Sequence, residues 1–202
     1  MSSIFLIVKR FFVKLYRFRH CCGYNVHSPF AFDLITQVIY EKQPYYAYES
    51  LKAEEKNRAS ESRRVNKLLF RLVNRVQPSI IIDVGTPSYS ALYLQAGKPS
   101  AGYVPALDLT DLFLEKDVPV DFLYLHNYKN PALVEDVFRV CAARTHERSA
   151  FVIGGIGYSK QMRTLWKRVI ADEGVGITFD LYDAGILFFD KTKVKQHYKI
   201  CF

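Results

Sequence analysis

The clearest hydrophobic pattern in the chain is helical and runs from residue 62 to residue 76. Apolar side chains recur there at intervals of three and four residues, which places them on one face of an α-helix. They are Val65, Leu68, Leu69, Leu72, Val73 and Val76. Pro78 ends the predicted helix, because proline lacks the amide donor that a helix interior needs. We expect the opposite, basic face to be solvated; it carries Arg63, Arg64, Lys67, Arg71 and Arg75.

An earlier helix is predicted to begin after Ser28. A serine followed by a proline at the first helical position is a typical helix start, and Pro29 supplies that proline. Pro44 marks the end of the pattern. The positions expected to face the core are Ala31, Phe32, Ile35, Val38 and Ile39.

The remainder of the chain alternates between strand and helix patterns. The continuously apolar "SIIIDVG" predicts a buried strand, and "SALYLQAG" a helix after it. Further strands are predicted in "AGYVPAL", "VDFLYLHN" and "AFVIGGI", and helices in "PALVEDVFRVCAAR" and "SKQMRTLWKRVIAD". This alternation predicts a parallel sheet with helices on both faces. At the end, "GITFDLYDAGILFFD" predicts two strands around an Asp183-Ala184 turn and "QHYKICF" a last strand, giving an antiparallel finish.

The excess positive charge of the chain is confined to its first part. Residues 1–76 contain 14 Lys and Arg against 6 Asp and Glu, whereas residues 77–202 contain 14 of each. Residues 4–20 read as a basic amphipathic helix, with Lys9, Arg10, Lys14 and Arg17 opposite an apolar side. Such a helix can lie on an anionic membrane surface, or it can pack on its own domain or on a protein partner. Both alternatives remain open. Nucleic acid is the least favoured partner, because only the N-terminal charge points to it.

The composition indicates a cytoplasmic protein, with the inner membrane surface as a further location if residues 4–20 bind lipid. No stretch reaches the ~18–20 apolar residues of a membrane span. The four cysteines have no spacing typical of a metal site, and reduced thiols are the expectation for them.

The order of the predicted elements is similar to that of the class I S-adenosylmethionine-dependent methyltransferases, whose sheet also ends in antiparallel strands. More narrowly, "VHSPFAFDL", "DFLYLHN", "SKQMRTLW" and "FDLYDAGILFF" resemble a bacterial set of O-methyltransferase-like proteins. The resemblance implies an α/β, Rossmann-like three-layer sandwich over residues 61–202, preceded by a helical extension over residues 1–60. Only "DLTDLFLEKDVP" separates the second and third predicted strands, where the family has two helices and a strand. We therefore expect the sheet to lack an edge strand.

The resemblance also assigns the positions that would bind S-adenosylmethionine. Asp83 and Gly85 match the end of the first strand of the family, and the hydroxyls of Thr86, Ser88 and Ser90 follow them. The acidic residue that would bind the ribose is Asp108. Two substitutions weaken this loop: Pro87 removes a backbone donor, and Tyr89 stands where the family has a glycine. We therefore expect a degraded cofactor site.

The acidic residues near the methyl group and the metal in the family are replaced in this chain. His126 stands at one position, and Gly154 and Gly155 at two others, so we expect no metal, since hard cations need oxygen ligands. His126 is a candidate general base, with a structural role as the alternative. Two functions stay open: methyl transfer to a small-molecule acceptor, or a non-catalytic relative, a pseudoenzyme that acts as a binding or scaffold protein.

Overall fold

A seven-stranded sheet organises the part of the chain that the structure describes. The structure is a computed structural model, and it describes residue 17 and residues 26–54, 63–112 and 118–202. The strands lie in the order β2-β1-β3-β4-β6-β5-β7. Their bounds are Ile80–Val84 (β1), Gly102–Ala106 (β2), Phe122–Leu125 (β3), Ala150–Gly154 (β4), Ile177–Asp180 (β5), Ala184–Phe188 (β6) and Gln196–Lys199 (β7).

Apart from Ala47–Glu54, which the sequence did not predict, the described helices begin where the sequence predicts. Ser28 caps the first helix by accepting a hydrogen bond from the Ala31 amide at 3.3 Å, and Ser159 caps the last through the Met162 amide at 3.0 Å. The first helix continues as a single π-helical turn over Ile35–Ile39. The α-helices are Pro29–Leu34 (α1), Ala47–Glu54 (α2), Arg63–Val76 (α3), Ser90–Gly97 (α4), Pro131–Ala142 (α5) and Lys160–Ala171 (α6).

The antiparallel finish of the sheet is confined to one strand. β6 pairs antiparallel with both β4 and β5, as the predicted hairpin requires. The last strand, β7, differs, because it pairs parallel with β5. The connection of residues 189–195 passes the start of β5 at the edge of the sheet where β6 ends. β7 therefore starts beside the start of β5. The predicted turn also shifts: it spans residues 181–183, and Ala184 already belongs to β6.

β2 forms the edge of the sheet, as the short connection after it predicts. Within residues 26–54, 63–112 and 118–202, no strand pairs with the outer side of β2. Its register on β1 sets Pro105 opposite Asp83 and Ala106 opposite Val84. At the other edge, β7 brings the number of strands to seven.

The two faces of the sheet bury separate cores, which confirms the three-layer arrangement. One core joins α1, the π-helical turn and α3 to inward residues of the strands, such as Ile81 and Phe122. The other core joins α5 and α6 to residues of the opposite face, such as Leu123 and Phe151. Residues 29–39 are therefore part of the main core, while the predicted domain boundary near residue 60 lies outside the described residues.

Two predicted side-chain positions were wrong. Arg71, expected on the solvated face of α3, is only 7% exposed. Its guanidinium lies over the end of the π-helical turn, where helix carbonyls have no intrahelical donor. Phe32, expected to face the core, is 49% exposed, and Leu34 is buried instead. The π-helical turn is wider than an α-helical turn, because its hydrogen bonds span five residues instead of four. It therefore changes which residues between α1 and residue 39 face the core.

Most of the predicted basic amphipathic helix, residues 4–20, lies outside the described residues, but Arg17 does not. Its guanidinium lies 2.8 Å from the Asp180 carboxylate and donates to the Asp180 carbonyl, also at 2.8 Å. Both side chains are nearly nine-tenths buried. One member of the predicted basic face is therefore used inside the protein. Among the described residues, no helix is long and apolar enough to cross a bilayer.

Candidate functional site

The candidate site lies at the carboxyl ends of β1 and β3. The chain runs from β1 to β2 on one side and then returns to place β3 on the other side of β1. Open α/β sheets bind ligands at such a reversal, outside the carboxyl ends of the strands. Asp83, Gly85, His126 and Gly154 meet there, so the structure brings together residues that are far apart in sequence.

Asp83 is buried between two side chains from the neighbouring strands. Its Oδ2 atom accepts a hydrogen bond from the Tyr103 hydroxyl at 2.6 Å. Its Oδ1 atom lies 3.1 Å from Nε2 of His126, in close contact but without a well-aligned hydrogen bond. The three side chains share one face of the sheet, because the register sets Asp83 between Pro105 and Tyr124, each two residues from one of these partners.

Tyr103 was missed in the sequence analysis. Burial, together with the adjacent Asp83 carboxylate, raises the pKa of the Tyr103 phenol, so the hydroxyl stays protonated and acts as the donor. The alternation of side chains along β2 could have indicated which face of the sheet Tyr103 is on, because Tyr103 and Pro105 point to the same face. Identifying Asp83 as the partner also needed the register between β1 and β2.

The imidazole of His126 occupies the space directly against Gly85. A Cβ atom built on Gly85 would lie 2.6 Å from Nε2 and 2.7 Å from both adjacent ring carbons. Gly85 also has φ of +155°, which side-chain-bearing residues rarely adopt. The ring stacks on Tyr124, with centroids 4.9 Å apart and planes 9° apart. Glycine is therefore required at residue 85, because the His126 side chain occupies the space that a Cβ atom would need.

The loop after Gly85 uses two of its hydroxyls locally. The Ser88 and Ser90 hydroxyls are hydrogen-bonded to each other, and Ser88 Oγ also accepts from the Ser90 amide at 3.3 Å. Ser90 is fully buried at the start of α4. Thr86 and Pro87, by contrast, are exposed. Cofactor binding by Thr86, Ser88 and Ser90 stays a prediction.

Asp108 lies in the exposed loop that follows β2. Its Oδ1 atom accepts hydrogen bonds from the Thr110 hydroxyl at 2.5 Å and the Thr110 amide at 2.8 Å. These bonds lower the pKa of the Asp108 carboxyl, so it is ionised at neutral pH. Asp108 is two residues beyond the end of β2, and its role toward a ribose stays a prediction.

Directly after β4, Gly155 lies in close contact with a tyrosine. A Cβ atom on Gly155, which has φ of +64°, would lie 2.5 Å from the Tyr128 ring. That ring in turn contacts Tyr158, with centroids 4.6 Å apart. In residues 26–54, 63–112 and 118–202, no group of three His, Cys, Asp or Glu side chains is placed to hold a metal ion.

Comparison with known proteins places the fold. No family model matches the sequence, and no curated protein matches it. Among solved structures, a Podospora anserina methyltransferase bound to S-adenosylhomocysteine superposes with a TM-score of 0.57 at 10% identity, over 80% of this chain and 96% of that one. The Bacillus cereus O-methyltransferase in complex with S-adenosylhomocysteine gives 0.51 at 15% identity, over 80% and 97%.

A third similar structure is the O-methyltransferase TomG of Streptomyces achromogenes in complex with S-adenosylmethionine. It gives a TM-score of 0.51 at 14% identity, over 79% of this chain and 96% of that one. At these identities the likeness concerns the fold. The chain has the fold of the class I S-adenosylmethionine-dependent O-methyltransferases.

Proposed function

We propose that this chain is a methyltransferase-like protein whose S-adenosylmethionine site is filled by its own side chains, and that it acts by binding a partner. The observation that carries the proposal is the His126 ring against Gly85, where a single added carbon would come within 2.6 Å of Nε2. The family resemblance assigns that space to the cofactor. A ring that sits closer than van der Waals contact to a built Cβ leaves no room there for a ligand atom.

The state of Asp83 supports the same conclusion. One carboxylate oxygen already accepts from Tyr103, and the other is covered by His126. Displacing Tyr103 and His126 would leave the buried Asp83 carboxylate without its two partners. A ligand would therefore have to replace both interactions in order to bind. The residues present therefore do not fit S-adenosylmethionine, and Gly154 and Gly155 offer no carboxylate to a metal.

One observation favours the competing function, methyl transfer to a small-molecule acceptor. A carboxylate that faces an imidazole is also the arrangement that orients a general base, and Asp83 faces His126 at 3.1 Å. The two functions differ in cofactor binding, which is therefore the property to measure.

The deciding experiment is calorimetric titration of the full chain with S-adenosylmethionine and S-adenosylhomocysteine. We expect no saturable binding up to a ligand concentration of about 1 mM. A dissociation constant of ~1 mM corresponds to a binding free energy of only ~4 kcal/mol. A His126→Ala variant, which removes the ring from the space beside Gly85, serves as the comparison. Submillimolar binding by the natural chain would overturn the proposal and leave methyl transfer as the function.

The binding role is proposed for the basic segment of residues 4–20, with an anionic membrane surface as the partner. The local excess of Lys and Arg supports this, since each basic residue adds about 1 kcal/mol near anionic headgroups. Because Arg17 is paired with Asp180, the test should spare it and reverse only Lys9, Arg10 and Lys14. Co-sedimentation with vesicles containing phosphatidylserine should fall in the reversed variant, and equal sedimentation of both proteins would contradict a membrane role.

A further inference from the structure

A cavity of about 300 Å³ opens at the amino edge of the sheet, opposite the candidate site. Its lining residues place it there: Val76 precedes β1, Arg148 precedes β4, Ile177 begins β5 and Phe188 ends the antiparallel β6. The volume is at the lower end of the range for small-molecule pockets. None of the residues discussed for the candidate site contributes to it.

The apolar part of the lining comes from α1, α3 and two strands. Phe30 and Phe188 meet edge to face, with ring centroids 5.0 Å apart. Leu34, Val76 and Ile177 complete this part of the lining. Apolar and aromatic walls with a few placed polar groups are typical of sites for small organic ligands.

The charged part of the lining consists of Arg75, Arg148 and Lys193 together with Glu147 and Asp190. Lys193 is paired with Asp190, and its ammonium lies 5.2 Å from the centre of the Phe30 ring. Arg75 is paired with Asp33 at 2.5 Å. No described residue gives the Arg148 guanidinium a hydrogen bond or an ion pair, so Arg148 is the cation available to a ligand.

The backbone that carries Arg148 is fixed by a chain of hydrogen bonds. The Arg148 amide donates to Nδ1 of His146 at 3.1 Å, and Nε2 of the same ring lies 2.8 Å from Oδ1 of Asp121. Since Nδ1 accepts, this network assigns the proton of the neutral ring to Nε2. The His146 amide donates to the Ser149 hydroxyl at 2.9 Å. Because the backbone is already fixed, ligand binding at Arg148 carries no further entropy cost for ordering the loop.

We propose that this cavity binds a small apolar carboxylate, with its apolar body against Phe30 and Phe188 and its carboxylate on Arg148. A guanidinium binds a carboxylate through two parallel hydrogen bonds, which gives both affinity and orientation. The ligand is assigned as an anion because the Arg148 guanidinium, to which no described residue gives an ion pair, lines the cavity and has the geometry to bind a carboxylate.

Three probes that share one ring and one chain length test the charge of the ligand. They are 3-phenylpropionate, its neutral amide 3-phenylpropanamide, and the cation 3-phenylpropylamine, each titrated into the full chain by calorimetry. We expect saturable binding of 3-phenylpropionate, at least tenfold tighter than either of the others. Absence of saturable 3-phenylpropionate binding, or equal binding of the amine, would overturn the proposal.

Two variants and a control test the location. Arg148→Gln should weaken 3-phenylpropionate at least tenfold, the loss expected for a charge-assisted hydrogen bond. Arg139→Gln is the matched control, because Arg139 is a 73% exposed arginine on α5 outside the cavity, and it should leave binding unchanged. Val76→Phe, which fills the cavity, should abolish binding in a protein whose circular dichroism stays native. If this variant fails to fold, the comparison between Arg148→Gln and Arg139→Gln decides alone. Equal affinities of these two variants for 3-phenylpropionate would overturn the assignment of the site.

Discussion

Replacing Arg71 with methionine should destabilise the protein far more than the same replacement at Arg75, four residues further along α3. Arg71 donates from Nε to the Val38 carbonyl at 2.6 Å and from Nη2 to the Ile39 carbonyl at 3.3 Å. A third, longer contact of 3.4 Å joins Nη1 to the Tyr48 hydroxyl. Methionine keeps the apolar stem of the side chain and removes the donors.

The expected loss for Arg71→Met follows from these contacts. A hydrogen bond with a charged donor contributes about 1.5–3 kcal/mol, and a buried acceptor left without a donor costs about 1–3 kcal/mol. The 3.4 Å contact adds little at that length. The guanidinium no longer has to be desolvated, which offsets part of the loss. We expect a net loss of about 3 kcal/mol, a large fraction of the ~5–15 kcal/mol that stabilises a typical domain.

Urea denaturation followed by circular dichroism measures both variants. With an m value of about 2 kcal/mol per molar, a loss of 3 kcal/mol lowers the midpoint by roughly 1.5 M. Arg75 is 56% exposed and its partner Asp33 is 42% exposed, so Arg75→Met should cost less than about 1 kcal/mol. Equal midpoints for the two variants would refute the burial and the hydrogen bonds assigned to Arg71.

Three further predictions concern single contacts. Gly85→Ala should cost about 2 kcal/mol or more, because φ of +155° is strained for alanine and the new methyl group meets the adjacent imidazole; a thermal melt that matches the natural chain would contradict this. Arg17→Ala should cost about 3 kcal/mol in urea denaturation, because it leaves the buried Asp180 carboxylate without its cation, and an unchanged midpoint would show that the pair is absent. Burial alone would raise the pKa of Asp121, but hydrogen bonds from His146 and two backbone amides lower it below its unfolded value of about 3.9. The stability from Asp121 is thus present above that value and lost as pH falls through the folded pKa, so urea midpoints at pH 7 and pH 3 should differ more for the natural chain than for Asp121→Asn, and equal differences would refute the effect.

The fold was predictable because its signals are local. Apolar runs, caps such as Ser28 and Ser159, and the alternation of strand and helix each concern a few adjacent residues. The resemblance then placed Asp83, Gly85 and His126 at neighbouring strand ends, and the structure brings them together.

The features that escaped prediction depend on contacts between distant segments. The burial of Arg71 follows from a π-helical turn more than thirty residues earlier in the chain, and no periodicity in α3 records it. Tyr103 reaches Asp83 only in the observed register of β1 and β2. The cavity is formed by residues from 30 to 193, which meet only when the sheet is assembled.

Pro105 has a consequence for how this protein behaves at high concentration. The Gly102 amide donates to the Ser79 carbonyl and the Ala106 carbonyl accepts from the Gly85 amide, so even-numbered residues of β2 hydrogen-bond to β1. The backbone groups of Tyr103 and Pro105 therefore point outward, and proline has no amide hydrogen to offer. A second molecule approaching this side finds an interrupted row of donors, which hinders edge-to-edge aggregation.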